Sequence, residues 1–111
     1  MPRYVLKRSP RKDKKFVMIM EDEGHKHHFG ATGYRDYTLM NDSASKFYEP
    51  DEAERKRVRK RYRDRHRGDK GLGSRHSPAE LAWSLLWTKP TLAQSIKYYE
   101  NKFGVKVINK T

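Results

Sequence analysis

Two periodicities divide the chain. Residues 3 to 8, RYVLKR, alternate polar with apolar, and residues 14 to 20, KKFVMIM, hold a β-branched and aromatic run, so both patterns predict strands. Ser9, Pro10, Arg11, Lys12 and Asp13 supply turn chemistry between them. An acidic turn from Glu21 to Gly24 leads into residues 25 to 29, HKHHF, which predict a third strand. Residues 1 to 40 therefore read as an antiparallel meander with its strands in chain order. Within it, FGATGYRDYT is too rich in Gly and Thr for a helix and predicts a fixed loop, with Tyr34 and Tyr37 packed under the sheet. Residues 41 to 50 form a connector in which Phe47 and Tyr48 are expected to anchor the start of the next element.

From residue 51 the period becomes that of a helix. The segment 51 to 67, DEAERKRVRKRYRDRHR, has acids at its start, Pro50 before it and Gly68 after it, which mark a helix at both ends. At about 100° per residue, Val58 and Tyr62 make one narrow docking stripe with Arg55 and His66 beside it. Lys56, Arg59, Lys60, Arg63 and Arg67 are expected on the opposite side. Residues 68 to 76, GDKGLGSRH, predict a flexible basic loop.

Residues 77 to 111 predict a helical hairpin. Ser77, Pro78 and Glu80 form a capping box ahead of Leu81, Ala82, Trp83, Leu85, Leu86 and Trp87, a run apolar nearly all round that belongs at the centre of a core. Thr91 and Gln94 open the last helix, with Leu92, Ile96, Tyr99 and Phe103 on one face and Gly104 at its end. The tail Val105 to Ile108 alternates as an edge strand would, with Lys106 discouraging further pairing. The predicted class is α+β: a small antiparallel sheet of three strands from the N-terminal half, packed against about three helices in a single domain of 111 residues.

Charge turns this outline toward function. The chain carries 26 Lys and Arg against 14 Asp and Glu, a net charge of +12, which divides as +3 over residues 1 to 50, +6 over 51 to 76 and +3 over 77 to 111. Nine Lys or Arg lie between Arg55 and Arg67 with one acid, Asp64, among them. Only Asp51 to Arg55, Glu52 to Lys56 and Asp64 offer helical pairing partners, so most of these bases are expected to stay uncompensated, the footprint of a polyanion partner. Lys56, Arg59, Lys60, Arg63 and Arg67 are the predicted phosphate contacts, followed by Arg57, Arg61, Lys70 and Arg75.

Other chemistries lack their residues. Without Cys there is no disulfide, thiol nucleophile or Cys-ligated zinc. His25, His27 and His28 have no converging ligands at metal-site spacing, and no cofactor motif accompanies them. No phosphate loop, catalytic triad or paired carboxylates stand out, so no enzyme is predicted. Trp83 and Trp87 are read as core residues among their Leu neighbours. The N-terminus lacks a signal-peptide core, no run approaches the ~20 apolar residues of a membrane span, and the basic helix has almost no apolar face to insert into a bilayer.

Three segments carry a resemblance: HFGATGYRDYT at 28 to 38, KRYRDRH at 60 to 66, and LLWTKPTLAQSI with KYYENKFG at 85 to 104. In their combination the chain resembles an uncharacterised family of small basic proteins encoded by giant nucleocytoplasmic large DNA viruses, of mimivirus-like and marseillevirus-like lineages. The resemblance implies a viral protein packaged in the virion, present during infection in the viral factory of the host cytoplasm or in the nucleus. It carries no catalytic residues to transfer. With the charge, it leads to the expectation of a DNA-binding protein without sequence specificity that packages or condenses a viral genome. RNA is the second candidate ligand, read through stacking by Tyr34 or Tyr37. The alternative is a minor capsid or virion scaffold protein whose basic helix grips an acidic surface of another virion protein.

Overall fold

The computed structural model describes the backbone of residues 1–111 and every side chain except that of Asp22. Strands β1 (Arg3–Arg8), β2 (Lys14–Met20) and β3 (His25–Ala31) form the meander, with a 3-10 turn at Glu21–Glu23 between the last two. A fourth strand, β4 (Lys106–Asn109), pairs parallel to β1, giving the order β3-β2-β1-β4. The chain is thus an α+β protein whose sheet gains a strand over the three in the meander.

Alternation explains which face of the sheet is covered. Tyr4 and Leu6 of β1, Met18 and Met20 of β2, Phe29 of β3 and Val107 of β4 all point inward and are buried. The run FVMIM is apolar on both faces because β2 lies inside the sheet, where Val17 has Lys7 and His28 as its cross-strand neighbours.

Four α-helices complete the fold: α1 (Tyr37–Met40), α2 (Glu52–His66), α3 (Pro78–Leu86) and α4 (Leu92–Phe103). Each begins with a side chain accepting a backbone N–H two or three residues on, from Asp36, Asp51, Ser77 and Thr91 respectively. Gly104, with φ of 64°, ends α4 in the left-handed region. The one-turn α1 was not expected. Asp36 creates it, its Oδ1 accepting from the Leu39 N–H at 3.0 Å and its Oδ2 from Lys15 Nζ at 2.7 Å.

Helix α3 lies over the inner face with Leu81, Leu85 and Leu86 buried, and comes so close to β3 that a Cβ on Gly30 would meet Leu86 Cδ1 at 2.9 Å. Helix α4 packs beside α3 through Ile96 and Tyr99.

Several expectations need correction. Glu80 does not close a reciprocal capping box. Its carboxylate turns into the core, accepting from Gly73 N–H at 2.7 Å, Lys102 Nζ at 3.0 Å and the Ser84 hydroxyl. Those bonds outweigh one exposed helix end. The loop 68 to 76 is tied down in consequence, with Ser77 Oγ also donating to Gly71 O at 2.7 Å and Tyr99 OH to Arg75 O at 2.9 Å. Tyr37 is buried as expected, but Tyr34 is 71% exposed. Phe47 and Tyr48 stay outside the core cluster, and the start of α2 is held by Arg55, which donates to Glu49 O at 2.6 Å.

Candidate nucleic-acid interface

Helix α2 has an inner and an outer side. The inner side carries Val58, which is buried, and Tyr62, whose ring stacks on Trp87 with centroids 4.2 Å apart and planes 5° from parallel. Burial first, and the Asp69 charge second, push the Tyr62 phenol up to about 12.

Arg59 and Arg63, expected among the outward cations, belong to this inner side. Arg59 donates to Thr88 O at 3.0 Å and sits 4.7 Å over the Tyr37 ring. Arg63 donates to Thr88 Oγ1 at 3.2 Å and sits 5.2 Å over the Trp83 ring. Burial, then the Arg59 charge, lowers the Arg63 pKa. The geometry accounts for the difference: at about 100° per residue Arg59 falls beside Arg55 and His66, on the edge of the Val58 stripe.

Apart from Arg55, the remaining bases are exposed, and more of them are paired than expected. Lys56 meets Glu52 at 3.1 Å, Arg57 meets Glu54 at 2.7 Å, and Lys60 and Arg67 share Asp64 at 2.8 and 3.1 Å. Arg61 reaches Glu54 only at 3.6 Å. Asp51 serves as the N-cap rather than as a partner of Arg55. Three of the four acids thus serve more than one function, Asp51 as cap and distant partner of Arg57, Glu54 and Asp64 each between two bases, and nine bases against Asp51, Glu52, Glu54 and Asp64 still leave the segment at +5. Exposed pairs of this kind are weak and screened by solvent, so a phosphate competes with them readily.

The second-choice cations separate likewise. Lys70 is exposed. Arg75 is structural, its Nε donating to Tyr4 OH at 2.7 Å and its guanidinium meeting Glu23 at 2.8 Å. That bond holds the Glu23 carboxyl below its ordinary value and raises the arginine.

Sequence reasoning missed a cleft of about 480 Å³ between α2, the loop joining β3 to α1, and α3. Phe29, Val58, Leu86 and Trp87 line it, and Lys14, Arg35, Arg61 and Arg65 stand around it. Arg65 had one available signal, a base rather than an acid, Arg61, four residues before it; in the structure the acid four residues after it, Asp69, is bound instead to His66 Nδ1 at 2.7 Å.

On the sheet, His25 stacks on His27 with centroids 5.6 Å apart and meets His76 edge-on at 5.1 Å. His76 Nδ1 lies 3.0 Å from Glu23 Oε2 at an ion-pair distance, without the alignment of a hydrogen bond. His28 points the other way, to Ser9 Oγ at 2.7 Å. Among the described residues no three His, Asp or Glu side chains converge as a metal ion requires.

Residues 4–49 are similar to a family of unknown function (DUF5754). The match spans the meander, α1 and most of the connector, and it includes the sheet side of the cleft but not α2. No curated protein and no solved structure matches the chain. No helix among the described residues is long and apolar enough to cross a membrane.

Proposed function

We propose that the protein binds nucleic acid without sequence selectivity, DNA foremost, through the outer side of α2, and that it packages or condenses a viral genome. One observation carries the binding: Lys56, Arg57, Lys60, Arg61, Arg65 and Arg67 are all exposed on one helix, and among the described residues the ion pairs they make are with exposed or half-exposed carboxylates of the same helix or its cap. A polyanion gains from each such cation by releasing condensed counterions, a gain that a weak surface pair does not match. The viral context is carried by the family resemblance of the three segments named above.

Arg59, Arg63 and Arg75 are assigned to the fold, and the phosphate contacts pass to Lys56, Arg57, Lys60, Arg61, Arg65 and Arg67, with Lys70 beyond the helix end.

The test is a salt titration of binding to random duplex DNA. The logarithm of affinity falls against the logarithm of salt with a slope of about −0.9 per phosphate contact. Changing Lys60, Arg61 and Arg65 together to Gln flattens that slope by nearly three contacts' worth. An unchanged slope in a folded variant removes α2 as the contact surface. Weak duplex binding at physiological salt, beside a complex of fixed stoichiometry with an acidic protein, would favour the scaffold alternative instead.

A further inference from the structure

We infer that the cleft between α2 and the β3–α1 loop seats one unpaired nucleotide of a single-stranded nucleic acid, an inference that rests on the nucleic-acid reading above and gives it a second, strand-selective site.

Its two sides carry the charge. Lys14 and Arg35 stand on the sheet side and Arg65 on the helix side, and none of the three makes an ion pair among the described residues. Asp36, the acid in the cleft, is 1% exposed and already held by Lys15, Thr38 and the Leu39 N–H, so it does not oppose an incoming anion.

The floor is of another kind. Phe29, Val58, Leu86 and Trp87 are core residues that also line the cleft, so its floor is apolar and favours an apolar part of a ligand beside the negative charge. At the rim stands Tyr34, 71% exposed, in a chain otherwise short of exposed large apolar side chains. Its backbone is not loose: Lys15 Nζ donates to Tyr34 O at 2.6 Å. An exposed ring on a fixed backbone, flanked by Arg35, is the arrangement on which a nucleobase stacks.

The volume of about 480 Å³ suits a ligand of small-molecule size. Bases in a duplex are already stacked and paired and cannot reach the floor, whereas a single strand can turn one in. A phosphorylated peptide would satisfy the arginines and leave Tyr34 and the apolar floor without a partner.

Binding of short single-stranded DNA and RNA, each carrying a fluorescent adenine analogue, and of random duplex DNA is measured for the wild type, Tyr34→Ala and Tyr34→Phe. The expected result is single-strand affinity about tenfold weaker in Tyr34→Ala, near wild type in Tyr34→Phe, with duplex affinity unmoved. Quenching of the analogue on binding is lost only in Tyr34→Ala. Single-strand affinity and quenching that survive Tyr34→Ala overturn the cleft while leaving duplex binding by α2 intact. Equal weakening on single strand and duplex also overturns it. A wild type that binds neither overturns the nucleic-acid reading itself, and a phosphoserine peptide that binds the cleft more tightly than the single strands assigns it to a protein ligand.

Discussion

The ring of Tyr62 lies flat on that of Trp87, 4.2 Å between centroids, and joins the most basic helix of the chain to the residue that ends the most apolar one. Little else on α2 reaches the core, since Val58 is its one buried residue. The charged helix is therefore held by a single ring stack, one aliphatic side chain and the arginines around them.

Tyr62→Ala should destabilise the protein by about 3 kcal/mol, the lower end of the range for losing a core aromatic, because the ring is only partly buried. Tyr62→Phe should cost under ~1 kcal/mol. Urea unfolding of both variants decides this, and a small loss in the alanine variant would mean that the arginines alone hold α2. The raised phenol adds a sign: its stabilisation is full below the unfolded value of 10.0 and is lost as pH rises toward about 12.

Arg63→Gln and Arg65→Gln should part company. The first gives up the Thr88 bond and the Trp83 ring and costs about 1 to 2 kcal/mol of stability with little change in the salt slope. The second leaves stability within ~0.5 kcal/mol and flattens the slope. Denaturation and DNA titration on the same pair of variants separate the two roles, and matching behaviour would refute the division of α2 into two sides.

Glu80→Ala strands the Gly73 N–H, the Ser84 hydroxyl and the Lys102 ammonium together, and should cost about 3 kcal/mol. It should also raise hydrogen exchange across residues 68 to 76 more than in β2. Uniform exchange would mean that the loop is held by its other bonds.

His27 predicts an acid weakness. Its Nε2 is buried without a partner, and burial, then the charges of His25 and His76, hold its pKa below the ordinary 6.5. The unfolded chain therefore takes up a proton that the folded chain resists, and stability present above 6.5 is lost as pH falls below it. Glu23, between Arg75 and His76, loses its contribution in a separate window, below its unfolded value of 4.5. Melting temperatures of His27→Gln should fall less than wild type between about pH 7 and about pH 5.5. Parallel declines would place the acid sensitivity elsewhere.

Where a local rule decides the outcome, the sequence was enough. The two- and 3.6-residue periods, the caps at Ser77 and Thr91 and the glycine closing α4 concern neighbours along the chain, and the elements follow them. What lay beyond reach depended on neighbours distant in sequence. Glu80 has the spacing of a capping box, but only the fold brings Lys102 and Gly73 to it. Arg59 and Arg63 look like their exposed neighbours until Thr88 and two aromatic rings are placed beside them. Tyr34 and Tyr37 sit three residues apart in one loop, and the turn at Asp36 sends one into the core and leaves the other at the rim of the cleft.

The parallel pairing of β1 with β4 joins Tyr4 to Val107, so it closes a loop of nearly the whole sequence, while the hairpins of the meander close short ones. Pairings across such separations are slow to form. Until β4 arrives, one side of β1 has its peptide groups uncovered, and a second molecule at the same stage offers an identical strand to fill the gap. Crowded synthesis would thus favour strand exchange between copies, and exposed charges on β1, among them Arg3 and Lys7, work against it.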